Sequence, residues 1–150
     1  YLIENAARVA EVFPQGLDRL LAEIHGSAAR GYATAARSYL ASGYFGSARG
    51  MLLEALARSG EEEELRRLAA YAEGMNAYLE GRYRDAIAGL EAWLALRPGL
   101  GEGALADLAT AALSRVNSLA EGPDAEEIGA EASALAQRTR PFGVRAQATA

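Results

Sequence analysis

Lysine and cysteine are both absent from this 150-residue chain, and histidine occurs only once, as His25. Without cysteine there is no disulfide, no thiolate zinc site and no sulfur nucleophile. Without lysine there is no phosphate-loop lysine, no Schiff base and no kinase-type phosphate clamp. All 15 basic residues are arginine. One imidazole, even with Ser27 close in sequence, makes neither a paired-ligand metal site nor a catalytic triad. His25 therefore reads as a structural or surface residue.

Other shortages narrow the choice further. Nothing approaches the roughly 18 continuous apolar residues of a membrane span. A basic run is missing as well, and the formal net charge is −5 with a pI near 5.0. Nucleic-acid binding needs a concentrated positive footprint to displace counterions from phosphates, so that class is excluded. Residues 1–58 are close to neutral, whereas 59–100 and 101–150 are each net acidic, which favours a protein partner over a polyanion. The chain opens on Tyr1 rather than Met and is read as a piece of a longer, cytoplasmic protein.

What is present is helical. Hydrophobic residues make up 51% of the chain but aromatics only 7%, and alanine and leucine dominate. Both are strong helix formers, and alanine lets backbones approach closely, whereas the strand formers Val and Ile are scarce. Leu2, Ala6, Val9 and Phe13 share one helical face, and Pro14-Gln15-Gly16 ends that segment. Leu17, Leu20, Leu21 and Ile24 begin a second apolar stripe. Gly26 and Gly31 each cost a helix interior about 1 kcal/mol, which predicts a bend or break there.

From Arg30 the pattern is regular. Helices are predicted from Arg30 to Ala41 and from Phe45 to Ala57 around Gly43, then from Glu61 to Leu79 and from Arg84 to Leu96 around Gly81. A third pair runs from Ala104 to Ala120 and from Ala125 to Arg138 around Gly122-Pro123, with Asp124 suited to an N-cap. The domain reading is an N-terminal helical cap over 1–29 and helix pairs over 30–140, at about 30–60, 61–99 and 102–140. A loose tail follows over 141–150. The fold expected is all-α: stacked antiparallel helix pairs forming a right-handed solenoid of two or three units.

Gly43, Gly81 and Gly122 stand about 38 and 41 residues apart, the mark of a helical repeat. Gly74, Tyr78, Gly81, Tyr83, Ala86, Leu90 and Pro98 follow in order in one unit. Ala36, Tyr39, Gly43, Phe45, Ala48, Leu52 and Ala55 do so in the unit before it. On these residues the chain resembles the tetratricopeptide repeat family, over about Arg30 to Pro98. Trp93 stands where that pattern has Ala, which implies altered packing on the next unit, and Glu127 stands where a buried Ala is expected. A second resemblance rests on the run Asn5 to Phe13, on Ala35 to Gly43 and on Ala48 to Ala55. These look like the helical tail that follows the catalytic domain in bacterial family 2 glycosyltransferases.

The repeat family binds its partners along the inner face lined by the first helix of each pair. The resemblance implies groove positions at Arg30, Ala33, Arg37 and Leu40, at Leu68, Tyr71, Met75 and Tyr78, and at Ala112, Val116 and Leu119. Arg30 and Arg37, seven residues apart, share one side of a helix and suit an acidic or carboxylate-bearing peptide. Tyr71, Met75 and Tyr78 form a stripe suited to an adaptable apolar contact, although the same spacing serves ordinary packing between helices. If the groove is to use them, Tyr71 and Met75 must be partly exposed. Glu61 to Glu64 point in different directions around a helix and read as a solvated helix start. Gly99-Leu-Gly-Glu-Gly103 lacks the strand and the lysine of a phosphate loop and reads as a connector.

The expected function is a non-catalytic protein-interaction or assembly module, with no cofactor, no metal and no catalytic residue. Its partner is a protein or peptide, or another domain of the same chain. Two alternatives remain open at this level: a regulatory or targeting appendage of a larger bacterial enzyme such as a glycosyltransferase, and homo-oligomerisation through the apolar face of Leu2–Phe13.

Overall fold

The computed structural model describes the backbone of residues 14–59, 62–98 and 100–144. Six α-helices carry it: α1 (Pro14–Ala41), α2 (Phe45–Ser59), α3 (Glu63–Leu79), α4 (Tyr83–Ala95), α5 (Gly103–Leu119) and α6 (Ala125–Thr139). Short 3₁₀ turns occupy Leu100–Glu102 and Arg140–Phe142. No strand occurs among the described residues. The helices pack as three antiparallel pairs, α1 with α2, α3 with α4 and α5 with α6, stacked into an α-solenoid.

The three turn glycines adopt the backbone that the spacing implies. Gly43, Gly81 and Gly122 have φ of 83°, 80° and 94°, the left-handed region that side chains disfavour. At the first two turns the next backbone N–H folds back onto the preceding helix: Tyr44 N–H donates to Tyr39 O, and Arg82 N–H to Ala77 O, each at 2.9 Å. The third turn is longer. There α6 starts three residues after its glycine, whereas α2 and α4 start two after theirs. That single extra residue shifts the buried register of α6 by one, to Gly129, Ala132, Leu135 and Ala136. It also explains why Glu127 is exposed rather than buried. Asp124 takes the N-cap position but makes no side-chain capping bond; its carboxylate lies 3.4 Å from Arg84 instead.

The expected break near Gly26 and Gly31 is not found. α1 is one continuous helix of 28 residues, and Pro14 opens it at the first position, where a missing N–H costs nothing. A run of alanines around Gly31 and the burial of Ala29, Ala33 and Ala36 outweigh two glycine penalties of about 1 kcal/mol each. The cap expected over 1–29 is, for residues 14–29, the front of α1 itself. At about 1.5 Å per residue α1 spans about 42 Å, nearly twice its partner α2, which has 15 residues. The Leu2–Phe13 segment lies outside the described residues, as does 145–150. Of the tail expected to be loose, residues 141–144 are packed: Phe142 rests against the core, and Val144 N–H donates to Asp107 Oδ2 at 3.1 Å.

The two junctions between pairs differ. α2 lies along α3, and Phe45 meets Tyr71 edge to face at 6.2 Å between ring centroids. At the second junction α4 packs chiefly on α6 rather than on α5. A longer connection causes this: α4 ends, Arg97 turns left-handed at φ 57°, Pro98 follows, and the 3₁₀ turn intervenes before α5. Trp93, fully buried, fills the space where a small residue would let the following helix approach.

Within the middle pair the helices touch through glycine. A Cβ on Gly89 would sit 2.7 Å from Gly74 Cα and 3.0 Å from Ala70 O. Those are backbone atoms and cannot step aside. A Cβ on Gly50, exposed on α2, would meet no packed atom within 4 Å. Two alanine substitutions should therefore move stability in opposite directions. Gly89→Ala is expected to lower it by about 1–2 kcal/mol, because overpacking outweighs the gain in helix propensity. Gly50→Ala should raise it by up to about 1 kcal/mol. Urea unfolding followed by circular dichroism reads both.

Candidate functional site

The first helices of the three pairs enclose a cleft of about 710 Å³. Arg37 and Ala41 of α1 form one wall, and Glu64, Arg67 and Leu68 of α3 form the back. The opposite wall is Gly101 and Glu102 from the 3₁₀ turn with Ala104, Leu105, Asp107 and Leu108 of α5, and Val144 closes the rim. α1 and α5 also touch each other, so the cleft is bounded on three sides. Most of its surface is apolar. Leu108 and Val144 stand 41% and 52% exposed there and add apolar surface to its wall and rim.

A buried polar knot holds the α5 wall in place. Arg67 Nε donates to both carboxylate oxygens of Glu102, at 3.0 and 2.9 Å, and Nη2 lies 2.8 Å from Oε2. Only 13% and 10% of the two side chains is exposed. Trp93 Nε1 donates to Glu102 Oε1 over a longer 3.4 Å. Beside them Tyr71 OH donates to Leu105 O at 2.7 Å, and its ring meets Trp93 at 5.1 Å. Burial pushes the Tyr71 phenol well above its ordinary pKa, and the negative charge of Glu102 pushes it in the same direction. The phenol therefore stays protonated and remains a donor. No buried side-chain nitrogen or oxygen among the described residues lacks a partner.

The knot also decides the fate of the residues expected to line a groove. Tyr71 and Met75 are buried, at 0% and 3% exposure, so a groove built on these two does not form. The Tyr71 ring is packed between Phe45 of α2 and Trp93 of α4 and its hydroxyl is bonded to α5, and Met75 belongs to the same core cluster. Tyr78 is half-buried and packs against Tyr83, 6.1 Å between centroids. Ala33, Leu40, Ala112 and Val116 are core residues. Leu119 is exposed at 44% but lies outside the cleft. Leu68 reaches the cleft wall from its buried position.

Arg37 lines the cleft together with Leu68, and it forms an exposed ion pair with Glu64. Arg30 lies in a neighbouring recess of about 410 Å³ together with Arg37, Glu62 and Glu64. The structure thus brings the two arginines to one side, but beside carboxylates that already balance them. The residues that build the cleft without standing out in the sequence are Arg67, Glu102, Leu105, Asp107 and Leu108. Leu105 and Leu108 carry a faint signal, a leucine pair one helical turn apart. Arg67 and Glu102, 35 residues apart, carry none.

No group of three His, Cys, Asp or Glu side chains among the described residues could hold a metal ion. Among them, too, no helix is long and apolar enough to cross a membrane. No protein-family model matches the chain, and neither a curated protein nor a solved structure matches it.

The knot is open to two tests. Glu102→Ala leaves the Arg67 guanidinium buried without its counter-charge, and it should cost about 3–5 kcal/mol in urea unfolding. The double replacement Arg67→Leu with Glu102→Leu should cost far less, because no charge is stranded. The second test uses alkali. A phenol whose folded pKa is raised keeps its proton while the unfolded chain loses its own, so its stabilising contribution is full below about pH 10 and is lost above it. Tyr71→Phe should therefore flatten the fall in stability as pH is raised beyond about 10.

Proposed function

We propose that this chain is a non-catalytic, tetratricopeptide-like protein-interaction module of the cytoplasm, and that the inner cleft takes up an apolar side chain of a partner protein. The observation that carries this reading is the cleft itself. A concave, mostly apolar space of about 710 Å³ lies between the first helices of three pairs, within the size range of sites that bind small molecules or side-chain clusters. Its wall includes the apolar side chains of Leu105 and Leu108. The ionisable groups around it are mostly tied to one another rather than poised to transfer protons, which suits recognition by shape.

The repeat spacing supports the same reading. Stacked helix pairs offer extended concave surfaces because each pair is rotated slightly against the last. Here the surface is narrower than an open groove, since α5 folds onto α3. A segment that presents one or two anchoring side chains fits it better than a long extended peptide.

Panning a random-peptide phage library on the chain provides the test. Selected peptides are expected to protect the amides of 101–108 from hydrogen exchange. Leu108→Glu should weaken them at least about tenfold, about 1.4 kcal/mol, and the fold should survive because Leu108 is already 41% exposed. Peptides that bind without protecting 101–108, and that ignore Leu108→Glu, would remove the cleft as the binding site.

A further inference from the structure

Among the described residues the charges lining the cleft are not balanced, and the imbalance has a definite position. Five ionisable side chains line it: Arg37, Glu64, Arg67, Glu102 and Asp107. Arg37 is paired with Glu64, and Arg67 with Glu102. Asp107 has no ion-pair partner among the described residues; its one bond is the Val144 N–H at Oδ2. Oδ1 packs against Gly143, where an added Cβ would collide with it, so the turn at 140–144 covers part of the carboxylate and only part of its accepting capacity remains. The side chain sits at the rim, next in sequence to the exposed Leu108 and beside the exposed Val144. A carboxylate with no counter-charge among the described residues is thereby placed against the apolar mouth of the cleft.

From this the geometry points to a partner segment that is apolar and basic together: a leucine- or phenylalanine-sized anchor in the cleft, and a lysine or arginine within a helical turn of it, on Asp107. The inference rests on the cleft being the binding site, and it adds the charge of the occupant. It reverses the polarity suggested by Arg30 and Arg37, whose surroundings already hold Glu62 and Glu64. An acidic segment entering the cleft would meet Asp107 unopposed. A basic one completes the third pair. The net charge of −5 steers the same partner at longer range.

The probes are short alanine-based helical peptides, each with two leucines one turn apart and, a turn further on, a lysine, a glutamine or a glutamate. Binding is followed by fluorescence anisotropy at low ionic strength. The lysine peptide is expected to bind about three- to tenfold more tightly than the glutamate peptide, the difference between matching a rim charge and opposing it. Asp107→Asn keeps an acceptor for the Val144 N–H and removes the charge, so it should abolish that preference while leaving the glutamine peptide unchanged. High salt should shrink the preference too. Equal binding of the lysine and glutamate peptides, with Leu108→Glu still abolishing both, overturns the basic partner and leaves the cleft standing. Failure of every peptide, or indifference to Leu108→Glu, overturns the cleft and this inference with it.

Discussion

A carboxylate withdrawn from water inside a helical stack must recover its hydrogen bonds from neighbouring groups, and that requirement governs where Glu102 can stand. Only a guanidinium offers two parallel donors of matching geometry, and Arg67 presents them from α3. The Trp93 indole adds a third donor from α4. Three segments distant in sequence are thus tied to one point at the start of α5. The Tyr71 phenol adds a second tie to the same turn of that helix. The start of α5, which forms one wall of the cleft, is held against α3 and α4 by this arrangement.

The helix pairs are legible in the sequence because they depend on local chemistry. A glycine that must turn left-handed, an alanine stripe that must let two helices meet, and a proline that cannot continue a helix each leave a mark at a fixed offset. Gly43, Gly81 and Gly122 carry the whole topology in that way. The continuity of α1 is harder to read, because two glycine penalties must be weighed against packing that only the assembled pair reveals. The packed turn at 140–144 escapes a sequence reading for a similar reason. It is held by Asp107, far away along the chain, and has no periodicity of its own.

The site is much less legible than the fold. A repeat pattern places residues by analogy with neighbouring units, and it works while every junction is alike. Trp93 and the long connection after α4 make the second junction unlike the first, and positions in every unit, Ala33 and Leu40 of the first included, lie in the core. Arg67 and Glu102 look like ordinary surface charges in the sequence, one in a helix with a charged start and one in a glycine-rich connector. Their burial is a property of the stack. Of the positions taken from the repeat pattern, Arg37 and Leu68 lie along the cleft.

The contrast between the two junctions reaches beyond geometry. The first is held chiefly by aromatic and aliphatic contacts, whose driving force weakens as the temperature falls, with the Arg37–Glu64 ion pair exposed beside them. The second depends in part on an enclosed ion pair, whose dehydration penalty becomes smaller as the temperature rises. Neighbouring units of one array are therefore coupled by forces with opposite thermal dependence. Chilling loosens the front of the array relative to its back, and warming reverses the order. The cleft spans both junctions, so its walls are held by couplings that respond to temperature in opposite senses.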